Sequence, residues 1–176
     1  MYRRSHAVLV RSAGGKVLRA ATAHHGAAVQ DGPAALSQVM AHSPRLATRR
    51  GIECDLLCAG DCPEPVFFHG AGGVSPNDPL LQTLAQTFRV HAPTWPGFGE
   101  DQTETAIEDM LDFTLHGWDL IDALRLARPP LVVGNAMGGM SAAGMASGAR
   151  HDLQQLVLLA RAGMWFDGEP RPDLCA

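Results

Sequence analysis

The chain has 176 residues, a net charge of −4 and a hydrophobic content of 46%. These values are typical of one globular domain that is large enough to bury a core. The sequence argues against a membrane-spanning chain, because no apolar run approaches the roughly 20 residues that a bilayer requires. The apolar residues 7–10 are too few for a secretory signal. We therefore expect a cytoplasmic protein that makes no membrane contact.

The first part of the chain differs in composition from the rest. Residues 1–50 hold eight basic side chains and one acidic side chain. Residues 8–10 and 16–18 could pair as a hairpin, and residues 33–40 could form a short helix, but neither pattern is pronounced. We predict a basic, poorly ordered arm over residues 1–45, solvated and not bound to nucleic acid. An organellar transit peptide has a similar composition and stays an alternative.

From residue 46 onward, short apolar runs alternate with amphipathic stretches. The runs that predict strands are residues 52–57, 65–69, 89–92, 131–133 and 155–160. Helical spacing of apolar side chains covers residues 78–88, a long helix from a Thr103 cap to about Leu126, and residues 137–149. Residues 166–176 resemble a loop. Strands alternating with helices predict an α/β fold with a mostly parallel sheet flanked by helices.

Three cysteines follow one another at intervals of four residues, at Cys54, Cys58 and Cys62. The segment around Cys54 alternates like a strand, and Cys62 lies past a turn, so a helical ligand face is not expected. Zinc sites usually have a closer pair of cysteines and a second group of ligands. We therefore predict reduced thiols, no metal and no other cofactor.

Three predicted strands are followed by loops rich in glycine and proline. His69-Gly70 follows the strand at 65–69, Pro96-Gly97 follows the strand at 89–92, and Ala136 follows the strand at 131–133. In open parallel sheets the ligand site lies beyond the carboxyl ends of the strands. We predict that these loops converge at one edge of the sheet.

The third loop has an unusual sequence, Gly134-Asn135-Ala136-Met137-Gly138. The pattern G-x-S-x-G after a strand forms a sharp turn that exposes a nucleophilic serine. Glycines on both sides leave room for the turn, and alanine occupies the position of the serine. Helix–sheet packing alone is an alternative explanation of these glycines.

Together, the His69-Gly70-Ala71-Gly72-Gly73 loop, the Trp95-Pro96-Gly97-Phe98-Gly99 loop and the turn around Ala136 resemble the α/β-hydrolase superfamily. The similarity is strongest to cap-bearing bacterial serine hydrolases, which cleave esters and related bonds with a Ser-His-acid triad. It covers residues 46–176. The resemblance implies a truncated α/β-hydrolase fold, an incomplete domain that ends near the start of the cap.

The resemblance also assigns roles to residues around the pocket. The backbone N–H groups of Met137 and Ala71 would form the oxyanion hole. His69 would shape its loop and would not be the general base. Trp95 and Phe98 would line the pocket, with core packing as the alternative for each. Positions assigned to the pocket or its loops are His69, Gly70, Gly72, Trp95, Phe98 and Asn135.

Two departures from the family pattern concern catalysis. Ala136 has no hydroxyl group, and Ser141 and Ser147 are expected to point away from the turn. The triad acid and histidine would follow the last residue of this chain, and His151 lies at the wrong end of its strand. Loss of such a triad lowers turnover by about 10⁶-fold. We predict an impaired hydrolase.

Other interpretations of the sequence remain open. A non-catalytic module could bind a small ester-like ligand or a partner in the same pocket. A second chain could supply the missing strands, acid and histidine, although not the nucleophile. The missing strands would also leave an apolar strand edge uncovered, which favours self-association.

Overall fold

The strands of this chain form one eight-stranded sheet with the order β2-β1-β8-β7-β5-β6-β4-β3. The computed structural model describes residues 8–12, 17–18, 40–98, 107–148, 153–159 and 162–163. The strands are β1 (Val8–Ser12), β2 (Val17–Leu18), β3 (Ala41–Ala47), β4 (Glu53–Ala59), β5 (Pro65–Phe68), β6 (Val90–Pro93), β7 (Leu131–Asn135) and β8 (Gln155–Leu159). The helices are α1 (Pro79–Ala85), α2 (Met110–Leu124) and α3 (Met137–Gly148).

The centre of the sheet is parallel and its outer strands are antiparallel. β6, β5, β7 and β8 are parallel neighbours, and the helices α1, α2 and α3 follow β5, β6 and β7 in turn. Parallel strands need such crossover connections. The predicted α/β fold is confirmed. β4 and β3 extend the sheet antiparallel on one side, and β1 and β2 do so on the other.

The sheet has an apolar core on each of its faces. Val66 and Phe68 of β5 face α2 and α3, where they pack with Trp118 and Met145. Phe67, the residue between them, faces the opposite core together with α1. Side chains alternate between the faces of a strand, so β5 must be apolar throughout. This explains the continuous apolar run from which the strand was predicted.

The helix α2 begins later than predicted. Its N-cap is Asp109, whose Oδ1 accepts hydrogen bonds from the backbone N–H groups of Leu111 and Asp112 at 2.8 and 2.9 Å. The predicted cap Thr103 lies outside the described residues. Asp and Thr both cap helices well, and apolar spacing does not distinguish between them. Within the described part of the chain, no helix has the length and apolarity needed to cross a bilayer.

A buried carboxylate joins α2 to the turn between β3 and β4. The side chain of Asp119 is 3% exposed and lies 3.2 Å from Arg49 Nε and 2.6 Å from Arg50 Nε. A buried charge is strongly unfavourable without such partners. The pair of arginines therefore holds α2 against the antiparallel side of the sheet.

The structure differs from the predicted arm. β1 and β2 form the antiparallel hairpin that was the weaker expectation, with Val10 opposite Leu18, and β3 crosses the boundary predicted at residue 45. The whole length of β8 pairs with β1, from Val8 opposite Leu159 to Ser12 opposite Gln155. The edge of β8, expected to be uncovered, therefore has a neighbour. Residues 33–40 and 166–176, apart from Met40, lie outside the described residues.

Removal of residues 1–18 should make the chain self-associate. Without β1, the N–H and C=O groups on one side of β8 lose their partners, and an unpaired apolar strand is a template for another chain. We expect the mass measured by size-exclusion chromatography with light scattering to rise with concentration. A variant lacking only residues 1–7 keeps β1 and serves as the control. Equal masses for the two variants at every concentration would contradict the expectation.

Candidate functional site

The connection between β7 and α3 is a sharp turn centred on Ala136. This residue has a φ of 49°, in the left-handed region that non-glycine residues rarely adopt. Its N–H donates to Leu159 O at 2.9 Å, and its C=O accepts from Met140 and Ala162 at 3.1 and 3.0 Å. The left-handed conformation costs about 1–2 kcal/mol for an alanine. Neighbouring hydrogen bonds and packing therefore hold the turn in place.

The turn also depends on two glycines whose backbones approach other backbones closely. A Cβ at Gly134 would lie 2.6 Å from Gly138 O. A Cβ at Gly138 would overlap the carbonyl oxygen of Phe68 and lie 2.5 Å from His69 O. Backbone atoms cannot move aside as a flexible side chain can. The start of α3 therefore rests directly on the carboxyl end of β5.

The loop after β5 lies beside the turn. A Cβ built on Gly70 would be 2.9 Å from the Ala136 Cβ, so the Gly70 backbone lies against the Ala136 methyl group. A hydrogen bond of 3.1 Å from Gly73 N–H to Gly70 O closes a tight turn around Ala71 and Gly72. Ala71 is exposed. The predicted convergence of these two loops is confirmed.

His69 links the loop after β5 to the loop after β6. Its Nε2 accepts a hydrogen bond of 2.9 Å from the Trp95 N–H, and its Nδ1–H donates to Gly70 O at 2.6 Å. The Trp95 indole Nε1–H returns a bond of 3.1 Å to His69 O. Burial lowers the pKa of His69, and the bond to Gly70 opposes this only in part. Both ring nitrogens of a neutral imidazole are thus used for positioning.

The two aromatic residues assigned to the pocket have different environments. Trp95 is 1% exposed and stacks on Phe68 at a centroid distance of 4.7 Å, with Phe113 at its edge. It belongs to the core beneath the site. Phe98 is half-buried and lies edge-on to His69 at 5.3 Å. Of the two, Phe98 is the one that borders the surface.

The residues on either side of Ala136 are half-buried. Asn135 is the last residue of β7 and Met137 is the first residue of α3. The N–H groups in the first turn of a helix have no partner within that helix, and they favour negative charge nearby. Ser141 is fully buried, and Ser147 donates back to Ala143 O at 2.9 Å. His151 lies outside the described residues.

Two contacts between cysteine and histidine were not predicted from the sequence. Cys54 Sγ lies 3.4 Å from His116 Nε2, and Cys58 Sγ lies 3.2 Å from His91 Nδ1. Both depend on which strand and helix lie beside β4, and the antiparallel pairing of β4 with β6 sets the second contact directly. Among the described residues, no group of three or more His, Cys, Asp or Glu could hold a metal ion.

Residues 66–174 match the family model described as the alpha/beta hydrolase family. The chain belongs to this family. No curated protein matches it.

Solved structures share the fold. One is a membrane phospholipase A described as a bacterial virulence factor, with a TM-score of 0.65 and 23% identity over 74% of this chain and 43% of that protein. Another is a serine-to-alanine mutant of a meta-cleavage product hydrolase from Pseudomonas fluorescens IP01. It has a TM-score of 0.60 and 28% identity over 72% of this chain and 47% of that protein. A carboxylesterase from Bacillus subtilis has a TM-score of 0.54 and 21% identity over 66% of this chain and 40% of that protein. The chain thus spans less than half the length of these proteins.

Replacement of Gly138 by alanine should destabilise the chain by about 3 kcal/mol, because the added methyl group would overlap backbone oxygen atoms of Phe68 and His69. At Gly148, at the end of the same helix, an added methyl group would have no other atom within 4 Å. Gly148→Ala is therefore the matched control and should change stability by less than about 1 kcal/mol. Urea unfolding measures both. Equal effects of the two substitutions would refute the close contact between α3 and β5.

Acidification should destabilise the chain partly through His69. Burial lowers its folded-state pKa below 6.5. At pH values between the folded-state and unfolded-state pKa of this histidine, the unfolded chain therefore binds more protons than the folded chain. The free energy of unfolding then falls as the pH drops below about 6.5. We expect a smaller fall in His69→Gln between pH 7.5 and 5.5. Part should remain, because burial also lowers the pKa of His91. An equal fall in His69→Gln and in the unmodified chain, measured by urea unfolding at each pH, would contradict the expectation.

Proposed function

We propose that this chain carries the nucleophile elbow of an ester or acyl hydrolase without the nucleophile, and that it does not turn over esters. The single observation that carries the proposal is Ala136, held at a φ of 49° between β7 and α3. In the family, a strand, a sharp turn and a helix present a serine at this point. A methyl group in its place cannot attack a carbonyl carbon.

The neighbouring histidine does not replace the missing machinery. His69 is 1% exposed, and its ring nitrogens are hydrogen-bonded to the backbone of Trp95 and Gly70. A general base for residue 136 would need a ring nitrogen directed at that residue. The geometry of His69 instead supports a role in holding two loops together.

The backbone donors of an oxyanion hole do not depend on the side chain at position 136. We assign them to the N–H groups of Met137 and Ala71. Met137 starts α3, and Ala71 lies in the tight turn whose first residue, Gly70, touches Ala136. Such donors alone retain a residual acceleration on the order of 10³ over water in hydrolases that have lost their triad. Their preferred ligand is a carbonyl or carboxylate oxygen of a small ester-like molecule.

A second candidate function is binding without catalysis. The meta-cleavage product hydrolase mutant, which is 28% identical to this chain, carries alanine for serine and is complexed with acetates. This supports a small carboxylate as the ligand of a site that keeps backbone donors and lacks the hydroxyl group. The chain would then be a non-catalytic ligand-binding module.

The cellular setting belongs to the same proposal. Cys54, Cys58 and Cys62 form no disulfide bond within the described part of the chain, which supports a reducing, cytoplasmic location. The absence of a cofactor and of nucleic-acid binding stays a prediction.

The proposal predicts no multiple turnover of p-nitrophenyl acetate or p-nitrophenyl butyrate by the unmodified chain, measured as p-nitrophenolate release above buffer. Ala136→Ser should also fail to turn over, because a serine without a base remains a weak nucleophile. Acetate, compared with chloride at equal ionic strength, should raise the melting temperature if the second candidate is correct. Ala136→Asp is the control for binding, since its carboxylate would repel acetate.

Two outcomes of this experiment would contradict the proposal. Steady multiple turnover by the unmodified chain would show that a nucleophile exists elsewhere. Turnover that appears only in Ala136→Ser would show that a base is already in place, and the chain would then lack the hydroxyl group alone.

A further inference from the structure

Three side chains form a line of contacts at the amino ends of the parallel strands, whereas Ala136 lies beyond their carboxyl ends. Cys58 lies near the end of β4, His91 near the start of β6, and Glu64 immediately before β5. Cys58 and His91 are directly opposite each other in the antiparallel pair of β4 and β6. The loops around Ala136 follow the carboxyl ends of the parallel strands, whereas Glu64 and His91 lie at their amino ends.

The contacts follow the order nucleophile, base and carboxylate. Cys58 Sγ lies 3.2 Å from His91 Nδ1, and His91 Nε2 lies 3.4 Å from Glu64 Oε1. A carboxylate only accepts hydrogen bonds, so Nε2–H donates to Glu64 and Nδ1 is left to accept the thiol proton. A nucleophile within reach of a base that is itself oriented by a third group is the general arrangement for nucleophilic attack.

The surroundings keep the thiol and the imidazole neutral before reaction. Burial raises the pKa of Cys58, and a hydrogen bond with Ser43 and the charge of Arg89 oppose this shift. Burial lowers the pKa of His91, although Glu64 acts in the opposite direction. A neutral base next to a neutral thiol can take its proton as the sulfur attacks.

The group is accessible on one side. Cys58 is half-buried, and the side chain of Glu64 is 28% exposed. Glu64 and Cys62 also line a cleft of about 430 Å³, whose walls include Leu126 and Arg128. A small acyl compound in this cleft would lie beside Glu64, the outer member of the group.

We propose that Cys58 is a base-assisted nucleophile that small activated acyl esters acylate. The sulfur forms a bond to the carbonyl carbon, the bond from that carbon to the alcohol oxygen breaks, and the thiol proton passes to His91 Nδ1. The proton then leaves with the alcohol or to solvent. The product is a thioester on Cys58, formed once per chain. Glu64 orients the imidazole and is a positioning residue.

The test treats the full chain with p-nitrophenyl acetate at pH 7.5 and follows acetylation of each cysteine by peptide mass spectrometry. Cys62 is exposed in the same chain and is the internal reference. Base assistance contributes a factor of about 10² or more, so His91→Gln should slow Cys58 acetylation at least about 10-fold and leave Cys62 unchanged. An unchanged rate at Cys58 in folded His91→Gln, or acetylation of Cys62 without Cys58, would overturn the proposal.

A second variant protects the test against a folding defect in His91→Gln. Glu64→Gln changes a more exposed side chain, and circular dichroism checks the fold of both variants. Glu64→Gln should slow acetylation of Cys58, because the His91 imidazole loses its carboxylate partner. An unchanged rate in Glu64→Gln would also count against the proposal if His91→Gln does not fold.

The outcome is distinguishable from that of the proposed function. A burst of at most one p-nitrophenolate per chain that disappears in Cys58→Ser supports the thiol alone. Multiple turnover that survives in Cys58→Ser overturns the proposed lack of turnover and leaves Cys58 to be judged by its labelling. Ala136→Ser should not alter the labelling of Cys58, because the two sites lie at opposite edges of the sheet.

Discussion

The site depends on the direct backbone contact between the start of α3 and the carboxyl end of β5. A side chain at Gly138 would overlap the Phe68 carbonyl oxygen, and one at Gly134 would meet the backbone of α3. Because no side chain lies between them, the helix, the strand and the turn between β7 and α3 form one closely packed unit. The left-handed conformation of Ala136 is a consequence of this contact, since the chain must reverse within a single residue to bring α3 down onto the sheet.

The two edges of the sheet differ in their chemistry. Beyond the carboxyl ends, hydrogen bonds between His69 and Trp95 hold the loops around Ala136, and a methyl group lies where the proposed acyl-transfer chemistry would require oxygen. At the other edge, Cys58, His91 and Glu64 contain a nucleophile and a base in contact. In the functions that we propose, the turn of an acyl-transfer site and a reactive thiol thus lie at opposite ends of the parallel strands.

The spacing of apolar residues and the turn residues between them were sufficient to predict the strands of the central sheet. The apolar runs that predicted β5 and β7 are buried on both faces, so they carry a signal that does not depend on their neighbours. The start of α2 was predicted wrongly because Thr103 and Asp109 are both good caps. Only the structure shows that the Asp109 carboxylate accepts hydrogen bonds from the free N–H groups. The pairing of β1 with β8 was also missed, because the apolar run at residues 8–10 does not identify its partner strand.

The sequence by itself determined the family, the parallel centre of the sheet and the position of the turn at Ala136, because these depend on local spacing and on glycines that no other residue can replace. Tertiary structure alone decided that β1 covers β8 and that Trp95 lies in the core. It also decided that Cys58 meets His91 and Glu64. Those contacts join residues far apart in the chain, and they follow from strand order and register, which a local pattern does not encode.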